Sequence, residues 1–117
     1  MPTLADLAGS EKGVPKDSDG ISFAPTLLGD SKSQKQHEFL YWAFYERGGA
    51  RAIRMGKWKA VQQPFHTSVR LYDLEADLGE QNNIAADQPD LIAKLTKLMD
   101  GAYSFSDRWQ FPKRKPK

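Results

Sequence analysis

The chain has 117 residues, of which 39% are hydrophobic and 27% charged, and this balance excludes both a membrane span and a typical disordered chain. Its net charge of +2 depends on four basic residues in the last five positions, because the rest carries 13 basic and 15 acidic residues. A broad nucleic-acid-binding surface is therefore disfavoured. The absence of cysteine excludes disulfides, thiolate metal sites and a cysteine nucleophile in this chain.

The first third of the chain predicts short helical turns within polar loops. Pro2 to Gly9 is typical of a short helix, since proline is tolerated in a first turn and glycine ends helices. Met1 or Thr3 is the expected cap. A second helical turn is expected at residues 26–28, after Pro25. The N-terminus has neither the basic start nor the long apolar run of a signal peptide.

The middle of the chain predicts four strands, over residues 38–45, 51–55, 57–62 and 69–74. The first is so rich in aromatic residues that we expect it to be covered on both faces or nearly so. Gly56 provides a tight turn between the second and third strands. Alternation of Lys57 and Lys59 with Trp58 and Ala60 predicts one wet face and one packed face.

The clearest element is a helix over residues 87–103, with Asp87 as its expected cap and Pro89 in its first turn. Its apolar residues share one stripe: Leu91, Ile92, Leu95, Leu98, Met99 and Ala102. Residues 104–117 are expected to form an extended basic tail in which Trp109 and Phe111 pack back. The predicted fold class is α+β, a small antiparallel sheet of about four strands packed against a C-terminal helix.

The polar motifs offer little chemistry. His37 and His66 lack a third ligand at metal-binding spacing, so loop histidines are the favoured interpretation. The segment 17–20 begins like a calcium loop but lacks the later Glu, and Gly48-Gly49 lacks the Lys and Ser or Thr of a phosphate-binding loop. The chain contains no Gly-x-Ser-x-Gly motif. From these residues alone, catalysis is not visible.

A group of aromatic residues and arginines allows two interpretations. They could form a platform that stacks on bases or sugars, or the aromatic rings could fill the core under the helix, which is the favoured reading. In the second case Tyr45, Arg47 and Arg51 are expected to be the most exposed. The group comprises Tyr41, Trp42, Phe44, Tyr45, Arg47, Arg51 and Arg54.

Three segments, in order, resemble the C-terminal part of the alkaline-phosphatase-like sulfatases, the arylsulfatase family. The first ends in DGISFAPTLLG at residues 19–29, similar to the family's DG-x-S-x-x-P-x-L turn. The second joins HEFLYWAFYE at 37–46 to AIRMGKWK at 52–59, similar to the family's E-x-L-Y-W-E-F strand and A-V-R-x-G-x-W-K hairpin. The third is LYDLEADLGEQNNIA at 71–85, similar to L-Y-D-L-x-x-D-P-x-E-x-x-N-L-A.

The resemblance implies that residues 1–103 form a sulfatase C-terminal-like subdomain, in which residues 1–36 lead in, residues 37–74 form the sheet and residues 87–103 form the helix. Family members hydrolyse sulfate esters with a calcium ion and a formylglycine made from a Cys/Ser-x-Pro/Ala-x-Arg motif. Both belong to their N-terminal half. Residues 22–26 do not match that motif, and we expect no cofactor in this chain and no sulfatase activity from it alone.

The resemblance also implies a supporting role, with several residues at the rim of a substrate cleft. The expected partners are a sulfatase catalytic domain, in cis in a full-length protein, and a sulfated small molecule or glycan. No membrane is expected, and nucleic acid is disfavoured. Family members are commonly periplasmic, extracellular or lysosomal. The rim candidates are His37, Trp42, Tyr45, Glu46, Arg47 and Arg51.

Two departures from the family pattern affect this assignment, because family members often have Glu at the position of Ala43 and His at that of Tyr45. Two other functions remain open. The chain could be a stand-alone module that binds anionic sugar or nucleic acid through its arginines and basic tail. Alternatively, it could be an interaction domain that docks through an exposed apolar patch.

Overall fold

The computed structural model describes residues 1–10 and 13–111, which fall into two compact units, Met1–His37 and Glu38–Lys117. The predicted tail residues 112–117 lie outside the described part of the chain. Within the described ranges, no helix combines the length and the apolar character needed to cross a membrane.

The first unit holds two short helices, α1 (Pro2–Leu7) and α2 (Ala24–Leu27), and a 3-10 turn at Ser31–Ser33. Met1 occupies the N-cap position of α1. Thr3, the other expected cap, does not occupy that position. Its hydroxyl accepts a hydrogen bond from the backbone N–H of Phe23 at 3.1 Å. Side-chain hydrogen bonds of this kind hold the polar segments together where few apolar residues are buried.

The second unit contains a four-stranded antiparallel sheet in the order β1-β2-β3-β4. The strands are β1 (Leu40–Phe44), β2 (Ala50–Met55), β3 (Trp58–Gln62) and β4 (Arg70–Asp73). Gly56 has a φ of 58°, a conformation in which a Cβ is strained, and this lets β2 reverse directly into β3. The predicted number of strands and the turn at Gly56 are confirmed.

One row of residues crosses the sheet under the C-terminal helix α3 (Pro89–Ala102). Register places Ile53 opposite Ala60 and Ala60 opposite Leu71. These three side chains are fully buried together with Leu95 and Met99 of α3. Each large apolar side chain buried in this way contributes about 1.5–3 kcal/mol, so this contact is the main source of stability in the second unit. The predicted stripe of α3 is confirmed.

The start of α3 differs from the prediction. Its N-cap is Gln88 rather than Asp87, and no described side chain caps the helix. Asp87 instead ends a 3-10 turn, Ala85–Asp87, that immediately precedes the cap. Pro89 still occupies the first helical turn, where the missing N–H costs nothing.

Strand β1 also differs, because only one of its faces is covered. Leu40, Trp42 and Phe44 are 39%, 49% and 52% exposed, whereas Tyr41 packs against the core. The expectation that both faces would be covered is wrong. In the second unit a single helix lies on the sheet, so the alternate residues of the edge strand face outward.

The loop after β4 is organised by side-chain acceptors in the segment 71–85. The Asn83 side-chain oxygen accepts hydrogen bonds from the N–H groups of Leu71 and Ala85 at 3.0 and 3.1 Å. The N–H of Ile84 donates to the carbonyl of Leu71 at 2.9 Å. This segment therefore satisfies the free edge of β4 as a further strand would. The Asp77 carboxylate accepts from the N–H of Asn82 at 2.7 Å in the same loop.

Two ion pairs bind β3 and its turn to this segment. The Lys57 ammonium lies 2.7 Å from the Asp73 carboxylate, and Lys59 pairs with Glu80. The hydrogen bond from Lys57 holds the pKa of Asp73 below its ordinary value of 3.8. The same bond raises the pKa of Lys57 above 10.5. Asp73 also accepts hydrogen bonds from the N–H groups of Glu75 and Ala76.

Replacing Asn83 with alanine should destabilise the second unit by about 1–3 kcal/mol, since it leaves the N–H of a fully buried Leu71 without its acceptor. Asn83→Asp keeps an acceptor oxygen and should retain most of the stability. Urea unfolding followed by circular dichroism measures both variants. Equal stability of Asn83→Ala and the native chain would contradict the assigned role.

Asp73→Asn should lower the melting temperature at neutral pH, because it removes the carboxylate that Lys57 stabilises. A carboxylate whose pKa is depressed on folding stabilises the fold above its ordinary pKa of 3.8 and ceases to do so as the pH falls. The melting difference between the two chains should therefore shrink as the pH falls below 3.8 and vanish once Asp73 is protonated in the folded chain. Thermal unfolding at a series of pH values checks this, and a pH-independent difference would contradict it.

Candidate functional site

The connection between β1 and β2 presents two of the predicted rim residues to solvent. Glu46 and Arg47 are exposed at its tip, and the N–H of Gly49 donates to the carbonyl of Glu46 at 2.9 Å. Arg47 and the two glycines after it have φ values of 50°, 93° and 72°. Glycine adopts this left-handed conformation freely, whereas Arg47 does so at a cost of about 1–2 kcal/mol.

Arg51 lies behind this loop and is only 8% exposed. Its Nη1 donates to Asp100 of α3 at 2.6 Å, and its Nε donates to the side chain of Gln62 at 2.7 Å. The guanidinium carbon is 5.1 Å from the ring centre of Phe65. The expectation that Arg51 would be among the most exposed residues is wrong. Strand register places Arg51 opposite Gln62 on the side covered by α3.

An aromatic cluster, Tyr45, Phe65, Tyr103 and Phe111, surrounds the same corner of the sheet. The ring of Phe111 stacks on Phe65 with centres 3.9 Å apart and lies 4.8 Å from Tyr45 and 5.5 Å from Tyr103. The prediction that Phe111 packs back is therefore confirmed. Trp109 remains 57% exposed, so that part of the prediction is wrong.

The loop that carries Phe65 is fixed to the β1–β2 connection. The N–H of Phe65 donates to the carbonyl of Gly48 at 3.2 Å, and the side chain of Gln62 donates to the carbonyl of Thr67 at 2.7 Å. The Gln63–Pro64 peptide bond is cis. These contacts place Phe65 beneath Arg51 and beside Phe111.

An open cleft of about 410 Å³ adjoins the aromatic cluster. Its lining combines four aromatic rings, an ion pair and one amide. The lining residues are Arg51, Phe65, Asp100, Tyr103, Phe105, Gln110 and Phe111.

A buried phenol lies close to this corner. The hydroxyl of Tyr41 is buried without a hydrogen-bond partner among the described residues. Burial raises the pKa of Tyr41, and the nearby positive charge of Arg51 opposes part of that shift. The phenol therefore stays protonated and neutral at physiological pH.

The predicted rim residues fall into three places. Tyr45, Glu46, Arg47 and Arg51 gather at the corner formed by the β1–β2 connection and the aromatic cluster. Trp42 pairs with Ala52 in register and faces the opposite side of the sheet from Arg51. His37 is exposed at the end of the first unit.

Comparison with characterised proteins gives matches to sulfatases. A Δ4,5-hexuronate-2-O-sulfatase from Bacteroides thetaiotaomicron is 36% identical over 107 residues, with 86% of this chain aligned. The crystal structure of a 2-O GAG sulfatase superposes with a TM-score of 0.71 at 31% identity, over 86% of this chain and 22% of that one. No protein-family model matches the chain.

A third sulfatase has been solved in complex with its substrate D-glucosamine-2-N,6-O-disulfate. It superposes with a TM-score of 0.65 at 27% identity and covers 86% of this chain and 22% of its own. The chain therefore corresponds to one part of a sulfatase. It spans about a fifth of the length of these sulfatases, 22% in each case. The resemblance that the three sequence segments indicate is confirmed.

The described residues contain no candidate metal-binding group. No three His, Asp or Glu side chains in residues 1–10 and 13–111 come together in a way that could hold a metal ion. Both histidines are exposed and lie in separate loops.

Sequence reasoning missed three residues of the corner formed by the β1–β2 connection and the aromatic cluster. Asp100 is separated from Arg51 by 49 positions, so no local pattern links the two. Phe65 is a single aromatic residue in a polar loop, and that isolation was a signal that it packs on something distant. Tyr103 follows the helical stripe directly and was assigned neither to the core nor to a site.

Replacing Asp100 with alanine should destabilise the second unit by about 1–3 kcal/mol, because it leaves a buried guanidinium without its counter-charge. The cost stays below that of a fully buried pair, since Asp100 is 63% exposed. The double variant Arg51→Met/Asp100→Ala should recover part of the loss. Asp107→Ala, an exposed carboxylate outside the pair, serves as the control in chemical unfolding. A double variant less stable than Asp100→Ala would contradict this account.

Proposed function

We propose that the chain acts as the C-terminal subdomain of a sulfatase, which supports the catalytic part and contributes the corner at Tyr45–Arg51 to the rim of the substrate cleft. The groups that cleave the sulfate ester, including calcium and formylglycine, belong on this proposal to the remaining four-fifths of a sulfatase. The chain alone then has no sulfatase activity.

The observation that carries this proposal is an exposed apolar strip at the β1 edge of the sheet, on the side away from α3, here called the open face: Leu40, Trp42, Phe44, Ala52 and Val61. Strand register places Trp42, Ala52 and Val61 in one row, and Leu40 and Phe44 flank Trp42 along β1. The three large residues of β1 are between 39% and 52% exposed. Contiguous exposed apolar residues at an edge strand are typical of an interface, because water contact with them is unfavourable.

The partner on this proposal is the sulfatase catalytic part, since the chain matches only 22% of the sulfatases it resembles. The open face needs a partner that has an apolar surface of similar extent. On this proposal that surface belongs to the four-fifths of a sulfatase with which the chain does not align.

The substrate class we propose is a sulfated small molecule or glycan. Its support is the similarity to sulfatases, together with the exposed Arg47 at the rim, whose guanidinium suits a sulfate oxygen. A carboxylate at the neighbouring Glu46 adds an acceptor for a sugar hydroxyl.

A chimera tests the role of the open face. The segment of the Bacteroides thetaiotaomicron Δ4,5-hexuronate-2-O-sulfatase that aligns with this chain is replaced by this chain, and sulfate release is measured. We expect activity in the chimera, and we expect Trp42→Ser to reduce soluble, active chimera by at least about tenfold, since central aromatic residues dominate interfaces. Trp109→Ser, which is equally exposed but lies outside the open face, should leave activity within about twofold.

Self-association of the isolated chain is a second, independent test of the open face. Trp42→Ser and Phe44→Ser should reduce its self-association in sedimentation experiments, because an uncovered apolar face otherwise associates with itself. Release of sulfate by the isolated chain, or a Trp42→Ser chimera as active as the unmodified one, would overturn the proposal.

A further inference from the structure

The supporting role does not explain the cleft beside the aromatic cluster. At about 410 Å³ it falls within the range of small-molecule sites, about 300–1,000 Å³, and it lies on the α3 side of the sheet, away from the open face. Such sites combine apolar walls with a few polar groups that fix orientation. The lining of this cleft has that composition.

Phe105 forms an apolar wall of the cleft, and packing within the protein does not explain its position. It is 71% exposed, although it stands in a segment whose Phe111 is held by three other rings. An exposed phenylalanine that lines a cleft offers a flat face to the C–H groups of a ring-shaped ligand. Tyr103, half-buried beside it, extends the same wall.

The polar groups of the cleft are suited to hydroxyl groups. Asp100 is 63% exposed, so its carboxylate can accept hydrogen bonds from a ligand while Oδ1 remains with Arg51. The exposed amide of Gln110 can both donate and accept. A hydroxylated ring needs donors and acceptors of this kind at its edge and an apolar surface against its face.

The charges of the described lining residues favour an uncharged sugar over a sulfated one. Arg51 and Asp100 are the charged lining residues, and their 2.6 Å contact neutralises both. A sulfate would have to compete with Asp100 for a guanidinium that is already paired, and it would meet the carboxylate as a like charge. An uncharged sugar meets no such penalty.

We propose that this cleft binds an unsulfated, uncharged sugar ring, stacked on Phe105 and hydrogen-bonded by Asp100 and Gln110. The proposal rests on the proposed function, since it assigns the cleft to a neutral residue of the glycan whose sulfated residue lies elsewhere. Tyr45 connects the two regions, because it belongs to the proposed rim and packs on Phe111 of the cleft.

Titration of the full chain with two sugars tests the proposal. The neutral disaccharide N,N′-diacetylchitobiose should shift the amide NMR signals of residues 100–111 saturably, with a dissociation constant of about 1–10 mM. D-glucosamine-2-N,6-O-disulfate should bind at least about tenfold more weakly in the same experiment at 150 mM salt. Raising the salt to about 0.5 M should leave the affinity for the neutral sugar unchanged.

Two variants locate the site and test the charge argument. Phe105→Ala removes an exposed side chain, so it should fold normally and weaken the neutral sugar by at least about tenfold. Trp109→Ala, an exposed aromatic residue that does not line the cleft, should bind within about twofold of the native chain. Asp100→Asn leaves Arg51 with an uncompensated charge and should raise the affinity for the disulfated sugar by about fivefold or more.

Absence of saturable shifts at about 50 mM disaccharide would overturn the proposal, as would binding that survives Phe105→Ala or a native preference for the disulfated sugar. If Asp100→Asn fails to fold, the Phe105→Ala variant and the comparison of the two sugars still decide the proposal. Sulfate release by the chimera is an independent test of the supporting role. An inactive chimera with intact sugar binding overturns the supporting role alone, and an active chimera without sugar binding overturns the cleft assignment alone.

Discussion

A single helix can cover only one face of a four-stranded sheet, and the second unit is organised by that restriction. Ile53, Ala60 and Leu71 form a row beneath Leu95 and Met99, and this row excludes water completely. Residues in the alternate rows cannot reach the helix. The hydrophobic contact that makes the unit stable therefore leaves Leu40, Trp42 and Phe44 exposed at the β1 edge of the other side.

The period of two along a strand then separates residues that are neighbours in sequence. Trp42 and Tyr41 are adjacent, but one lies on the open face and the other contacts the core. Arg51 belongs to the helix side, where Asp100 and Gln62 hold it in place. An aromatic and basic segment that looks like one site in sequence is thus divided between an interface and a cleft, and its residues must be assigned to functions face by face.

The parts of the fold that depend on local spacing could be predicted from the sequence. The apolar stripe from Leu91 to Met99 repeats at the helical period, and Gly56 supplies the conformation that a tight turn needs. The cap at Gln88, the exposure of Trp42 and the burial of Arg51 could not be predicted, because each depends on a partner far along the chain or on the number of layers. The pairing of Arg51 with Asp100 across 49 positions becomes visible only when β2 and α3 are packed together.

The segment 71–85 shows how a sulfatase-like sequence can serve the fold itself. Its polar positions carry out structural tasks: Asp73 binds Lys57, Asp77 accepts the N–H of Asn82, and Asn83 closes the edge of β4. Asn83 is the costliest of these to replace, because its partner Leu71 is buried and the N–H of Leu71 would lose its acceptor. A motif maintained for this reason identifies the fold wherever it occurs. In this chain the candidates for a functional role are other residues, which lie at the corner around Arg51.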